Sequence, residues 1–435
     1  MAMIDSSALN DGVRRREVFG WAMYDFANSG YTTVVLTAVF NAYFVGVVAG
    51  NAPWATLAWT ATLALSNALV ILTVPALGAY ADLHAAKKRL LLWSTAGCCI
   101  TTIALAYAGR GDMVWAVVAI VLSNLFYAYG ESLTAAFLPE LARPQALGKV
   151  SGWGWSFGYF GGMLTLGLSL AYVLSAQARG ASAAEFVPVT MWLTAVIYGL
   201  ASLVTFWLLR ERAVAQPAAS SQGVAASLRR LRETWTHARD FTDFGWLLAC
   251  GLAYQAGISV VIALAAIYAE QVLGFQQAET MMLIFLVNIA SAVGAFAFGY
   301  FQDRVGAKRA MAVTLVGWVC MTSLAYLSTT KPLFWCAAVL AGLCMGSSQS
   351  VGRAMAGLLA PPDRLAEFFG LWIFATRLSA IIGPLTYGVV AWASGGNHRL
   401  AILSTGLFFV VGLFLLARID LVRGRAAAEQ AARSR

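Results

Sequence analysis

The sequence predicts an all-α integral membrane protein with twelve transmembrane helices in two parallel six-helix repeats. Three observations carry that expectation. Of 435 residues, 60% are hydrophobic and 11% charged, and the mean hydropathy of +0.72 lies far outside the range of a soluble domain. The apolar residues fall in twelve runs, each long enough to cross a hydrocarbon core of about 30 Å. One loop pattern also recurs at half the chain length, which marks two repeats of the same orientation.

The runs cover approximately 18–48, 54–80, 89–109, 113–137, 151–175, 187–209, 244–270, 279–301, 309–328, 332–357, 366–393 and 399–420. They divide the chain into a first bundle (1–209), a linker (210–243) and a second bundle with a basic tail (244–435). The polar start, with Arg14, Arg15 and Arg16, does not read as a cleaved signal and is expected to stay cytoplasmic. Basic residues then alternate between loops. Of 29 Lys and Arg, only Arg110, Arg179, Lys331 and Arg399 fall on the opposite side, and Arg377 lies within a span. The net charge of +9 is thus a topology signal to which anionic lipid of the bilayer could contribute, and it does not point to nucleic acid. Both termini are expected in the cytoplasm of a bacterial plasma membrane, and the chain is expected to act as a monomer. In the linker, Ala225–Asp240 has apolar residues at helical spacing among four arginines and predicts an interfacial amphipathic helix.

The first run holds the most unusual chemistry. Asp25, Asn28 and Thr32 recur at i, i+3 and i+7 and are expected to share one helix face. A carboxylate that deep costs several kcal/mol unless it faces water, a partner or a substrate path. Glu131 in the fourth run lies at similar depth, Arg353 near the inner end of the tenth, and Arg377 near the middle of the eleventh. Asp25 and Glu131 share one wall of a central path only by what the family resemblance given below implies; two carboxylates there would resist ionising together, so that one could carry a proton. Arg377 could hold a substrate carboxylate or simply pair with an acid of its own half. Tyr127 and Gln349 are further polar candidates to line the path.

No residue set suggests a metal or cofactor. The six cysteines all lie in spans without a CxxC, the three histidines are scattered, and no phosphate loop, HExxH or GxSxG occurs. The chain is therefore not expected to be an enzyme, and transport would be facilitated or ion-coupled.

The repeated loops are Gly78–Arg89 and Gly299–Arg309. An offset of 221 carries Gly78, Asp82, Lys87 and Lys88 onto Gly299, Asp303, Lys308 and Arg309, and an offset of 222 carries Pro139, Gly148 and Gly161 onto Pro361, Gly370 and Gly383. The second copy, with Asp303, Arg304, Gly306, Lys308 and Arg309, closely resembles the loop motif of the major facilitator superfamily. In the first copy Leu83 and Ala85 replace the usual basic residue and glycine, so its turn is expected to differ. These residues are read as a latch that holds one packing of the two halves.

A narrower resemblance rests on Trp21–Tyr31, Ala136–Glu140, Ser151–Gly162, Gln349, Arg353 and Glu367–Gly370. These stretches resemble the UMF1 group of that superfamily, which includes vacuolar effluxers related to autophagy protein 22. Gly352 stands where the group has serine, and Arg377 where it tends to have lysine. The resemblance implies a secondary transporter exporting a small solute, amino acids first. The alternatives are a drug or sugar-derivative carrier of the same fold, or a non-transporting membrane receptor or scaffold.

Overall fold

A computed structural model of the chain describes residues 6–433 except 51, 53, 214–240, 276 and 396. The first half contains α1 (Arg15–Tyr31), α2 (Ala55–Leu83), α3 (Lys87–Leu105), α4 (Met113–Ala135), α5 (Leu147–Ala178) and α6 (Ala183–Leu208). The second contains α7 (Thr242–Leu273), α8 (Gln277–Val305), α9 (Ala307–Leu327), α10 (Lys331–Leu359), α11 (Leu365–Ala393), α12 (His398–Arg418) and α13 (Leu421–Arg433). Eleven of these segments are long and apolar enough to cross a membrane. Helix α3, at the third expected run, is not among them; its first turn carries Lys87, Lys88 and Arg89, and it packs between α4 and α6. The protein is an integral, multi-pass membrane protein.

The first run is not one uniform α-helix. Beyond Tyr31 the backbone widens into π-helical turns at Thr32–Ala38 and Phe44–Val48. Its threonines explain part of this. The Thr32 and Thr33 hydroxyls donate to the Ser29 carbonyl, and Thr37 donates to the carbonyl of Thr32, so side chains compete with amides for the helix ladder.

Packing repeats between the halves. Helix α1 lies against α5 and α6 as α7 lies against α11 and α12, and α2 against α4 as α8 against α10. Gly161 lets α5 meet the backbone of α1 at Phe26, and Gly383 lets α11 meet α7 at Ala256, where a Cβ would collide with carbonyl oxygens. The two largest contacts between halves, α2 with α11 and α5 with α8, are related by the same two-fold.

Both ends of the described chain lie on the face that carries the linker. Asn10 donates to the carbonyls of Pro139 and Glu140, and Arg423 of α13 holds Asp243 through two bonds of 2.7 and 2.8 Å. The tail is therefore a docked helix rather than a bare basic extension. The amphipathic helix expected at Ala225–Asp240 lies outside the described residues.

Candidate functional site

The linker face is closed by the repeated loops. Both motif aspartates cap a helix of the opposite half. Asp82, at the end of α2, accepts from the amide of Glu367 in the first turn of α11 at 2.9 Å. Asp303, near the end of α8, accepts from the amides of Gly148 and Lys149 in the first turn of α5 at 3.1 and 3.0 Å. An amide-rich helix start favours a carboxylate, so each aspartate ties the halves together electrostatically. Glycine makes the approach possible. A Cβ on Gly78 would strike the Ala366 carbonyl, and one on Gly299 would sit 2.7 Å from the Gly148 oxygen.

The basic residues of the motif act within their own halves. Lys87 lies between Asp82, at 3.6 Å, and Glu140. The Lys88 ammonium donates to the Leu209 carbonyl at the end of α6, as Lys308 donates to the Ala417 and Ile419 carbonyls at the end of α12. Arg304 and Arg309 are exposed. Outside the membrane spans, Glu211 accepts from the amides of Lys87 and Lys88, and burial raises its carboxyl above the ordinary range. The first-copy turn differs, as expected: the next helix starts from Ala86, whereas in the second copy it starts from Gly306. Ala85, at the position of Gly306, shares with it only a positive φ, 47° against 92°.

Above this closed face two ion pairs cross between the halves. Helix α1 presents Trp21 and Asp25, one turn apart, and α5 presents Ser151 and Trp155 with the same spacing. Arg353 of α10 enters the gap between them. Its Nη1 donates to Asp25 at 2.6 Å, its Nε to the Ser151 hydroxyl at 3.1 Å, and its Nη2 to the Ser151 carbonyl at 2.9 Å. The Trp21 and Trp155 rings lie 4.7 and 5.2 Å from the guanidinium carbon. A Cβ on Gly154 would meet Arg353 Nη2 at 2.5 Å, so only glycine lets α5 close over the pair.

The second pair joins Glu131 of α4 to Arg377 of α11 at 2.7 Å. Arg377 also lies 5.4 Å from the Tyr127 ring, which stacks on Tyr31. This pair is the more accessible one. Glu131 and Arg377 keep 27% and 16% of their side-chain exposure, and Arg377 Nε is buried with no partner. The sequence spacing explains the arrangement. An offset of 222 carries Glu131 onto Arg353 and Trp155 onto Arg377, so the contact of α4 with α11 reappears as that of α10 with α5 with the chemistry changed.

The site therefore differs in composition from the sequence-based expectation. Asp25 and Glu131 do not form a bare carboxylate pair, because each is neutralised by an arginine from the other half. Asn28 is turned away from both pairs: it accepts from Tyr198, which is bonded to Tyr24, inside the first bundle. The Thr32 hydroxyl is used by its own helix. Tyr127 joins the site. Gln349 pairs with Gln255 across α10 and α7, one turn from Arg353. The cross-half partner of Asp25 was the missed feature. Its signal was the sorting of in-span charge, with two acids in the first half and two arginines in the second.

Comparison with known proteins agrees with this architecture. The family described as vacuole effluxer Atg22-like matches residues 55–429. The uncharacterized MFS-type transporter YxiO of Bacillus subtilis is 26% identical over 404 residues, covering 91% of this chain and 93% of that protein. A gallate transporter of Pseudomonas putida is 26% identical over 425 residues, covering 88% and 89%. Autophagy-related protein 22-1 of Aspergillus fumigatus is 25% identical over 217 residues, where the match spans 36% of the fungal protein. Among solved structures, the proton:xylose symporter XylE superposes with a TM-score of 0.74 at 14% identity, covering 96% of this chain and 98% of that one. Human MFSD10, an organic anion transporter, superposes with a TM-score of 0.72 at 15% identity, covering 92% and 99%.

Proposed function

Because the chain belongs to the vacuole effluxer Atg22-like family of major facilitator transporters, we propose that it moves zwitterionic amino acids across the membrane by alternating access, with export as the working direction. The observation that carries this reading is the Glu131–Arg377 pair. It is accessible, at mid-depth, contributed by both halves, and it leaves one guanidinium donor unserved. An α-amino acid offers the matching charges. Its carboxylate can take the Arg377 fork, and its ammonium can take Glu131, so the solute replaces the ion pair without leaving a bare charge.

The inter-half hydrogen bonds among the described residues lie between the linker face and mid-depth. The linker face is thus the one the two halves bridge by hydrogen bonds. With the linker cytoplasmic, this reading makes the conformation one closed toward the cytoplasm. Closing the opposite face would require the Asp82 and Asp303 caps and the Asp25–Arg353 pair to break. A proton on Asp25 would remove the charge that holds Arg353, which makes a proton the natural coupling ion.

Counterflow of labelled amino acids in proteoliposomes tests the reading. Exchange is expected for at least one neutral amino acid, and Glu131→Gln is expected to weaken its half-saturation at least roughly tenfold, the loss of one charge-assisted contact. Flux for no amino acid, with flux for an aromatic carboxylate, would instead favour a second reading. Tyr127 stacked on Tyr31 beneath Arg377 is a suitable floor for such an anion, and the gallate transporter aligns along most of the chain.

A further inference from the structure

Arg353 is a residue of the second half whose guanidinium is bound wholly by the first. Its named partners are Asp25, the hydroxyl and carbonyl of Ser151, and the rings of Trp21 and Trp155, all on α1 and α5. Only 6% of the residue is exposed. The backbone of the walls is set within the first bundle, although the Ser151 hydroxyl also donates to the Ser350 carbonyl of α10. Trp21 is fixed by its indole N–H on the Thr134 carbonyl, and α1 and α5 are pressed together at Gly158 and Gly161. The approach of the two wall helices therefore does not depend on Arg353. One carboxylate, two neutral oxygen acceptors and two aromatic faces form a receptor for an organic monocation, since ring quadrupole and carboxylate act on the same charge.

We propose that this socket is a second solute site, specific for an ammonium or guanidinium group, which Arg353 fills while the linker face is closed and vacates when that face opens. Arg353 then acts as a tethered stand-in for the cationic end of the solute. Withdrawal of α10 from the first half exposes the socket toward the linker side, where the arriving cation replaces the departing one. The charge on Asp25 is compensated in both states. Trp155 adds a further mark of a ligand. Its indole N–H is buried without a partner, and a guanidinium, which has no acceptor, cannot serve it. A solute carrying an acceptor beside its cation can. The proposal takes its timing from the alternating-access reading above, whereas the affinity of the socket for cations stands apart from any transported substrate.

The test empties the socket and offers free cations. Purified Arg353→Ala protein is titrated with guanidinium chloride and with tetramethylammonium chloride in the low millimolar range, far below denaturing concentration, against sodium chloride at equal ionic strength. A saturable rise in Tm is expected for Arg353→Ala with at least one organic cation. None is expected for the wild type, whose socket is full, or for Asp25→Asn/Arg353→Ala, whose socket has lost its charge. If Arg353→Ala is recovered only as aggregate, Arg353→Gln is used, and recovery of monodisperse protein by guanidinium during solubilisation is the same readout. Equal responses to sodium and the organic cations, or an equal response in the double variant, would overturn the proposal. Failure of amino-acid counterflow would leave this result untouched, so the two readings fall separately.

Discussion

Gly78→Ala should unlatch the linker face without unfolding the protein. The added Cβ would land on the Ala366 carbonyl oxygen, 2.5 Å from that carbonyl carbon and 2.9 Å from Glu367 Cα. All three are backbone atoms at the start of α11, so no side chain can swing aside. The start of α11 must retreat from α2, which also breaks the bond from the Glu367 amide to Asp82. Overpacking of this kind costs about 1–3 kcal/mol, and a hydrogen bond to a charged group about 1.5–3 kcal/mol. Both penalties fall only on the closed state. Taking about 3 kcal/mol as the differential, the ratio of closed to open molecules drops on the order of a hundredfold. Spin labels at Arg89→Cys and Arg304→Cys, exposed helix-end sites in opposite halves, would report it by double electron–electron resonance in a background without the native cysteines. The distance distribution should move to longer values while Tm stays near that of the wild type. Gly346→Ala is the contrast. Its Cβ would meet the Ser291 carbonyl and, at 2.7 Å, the Ala295 amide nitrogen, inside one half, where no opening relieves the collision. That variant should lose thermal stability and leave the distances unchanged. A Gly78→Ala protein with wild-type distances and a Tm as low as that of Gly346→Ala would refute the reasoning.

Two further outcomes follow from the same geometry. Ala85→Gly should raise stability by about 0.5–1 kcal/mol, because a left-handed alanine is strained by roughly 1–2 kcal/mol and glycine returns part of that as unfolded-state entropy; thermal unfolding measures it, and transport should not change. Asp25→Asn leaves the buried Arg353 charge uncompensated, a loss of about 3–5 kcal/mol to the closed linker face; in proteoliposomes a pH gradient should no longer accelerate whatever exchange remains, and retained acceleration would remove Asp25 from coupling.

The membrane class, the two repeats and the positions of the repeated loops could be read from the sequence because each rests on a periodic or duplicated feature. Apolar run length tracks bilayer thickness, and an offset of 221 or 222 is visible in letters alone. What a residue faces across the midplane is not periodic. Asp25 and Asn28 stand three apart and were expected to share a fate, yet one crosses to Arg353 and the other bonds Tyr198 in its own bundle. A step of three on a helix turns about 60° short of a full circle, enough to send neighbours into different interfaces. The left-handed turn at Ala85 was hidden for another reason. Tertiary contacts on both sides of the loop fix its path, and local preference is overridden at a modest energetic cost.

The charge pattern connects these pieces. Buried ions are tolerable in a membrane only when compensated, and in this chain the compensation for Asp25 and Glu131 always comes from the opposite half. An acid and an arginine inside one half would stay paired throughout a rocking motion and would be conformationally silent. Divided between halves, each pair must break when its interface opens, and something else must then neutralise both partners. A proton can neutralise an acid but not an arginine, and an inorganic anion can neutralise an arginine but not an acid. A zwitterion can do both at once, which is why the division of charge between the halves favours a solute that carries both signs.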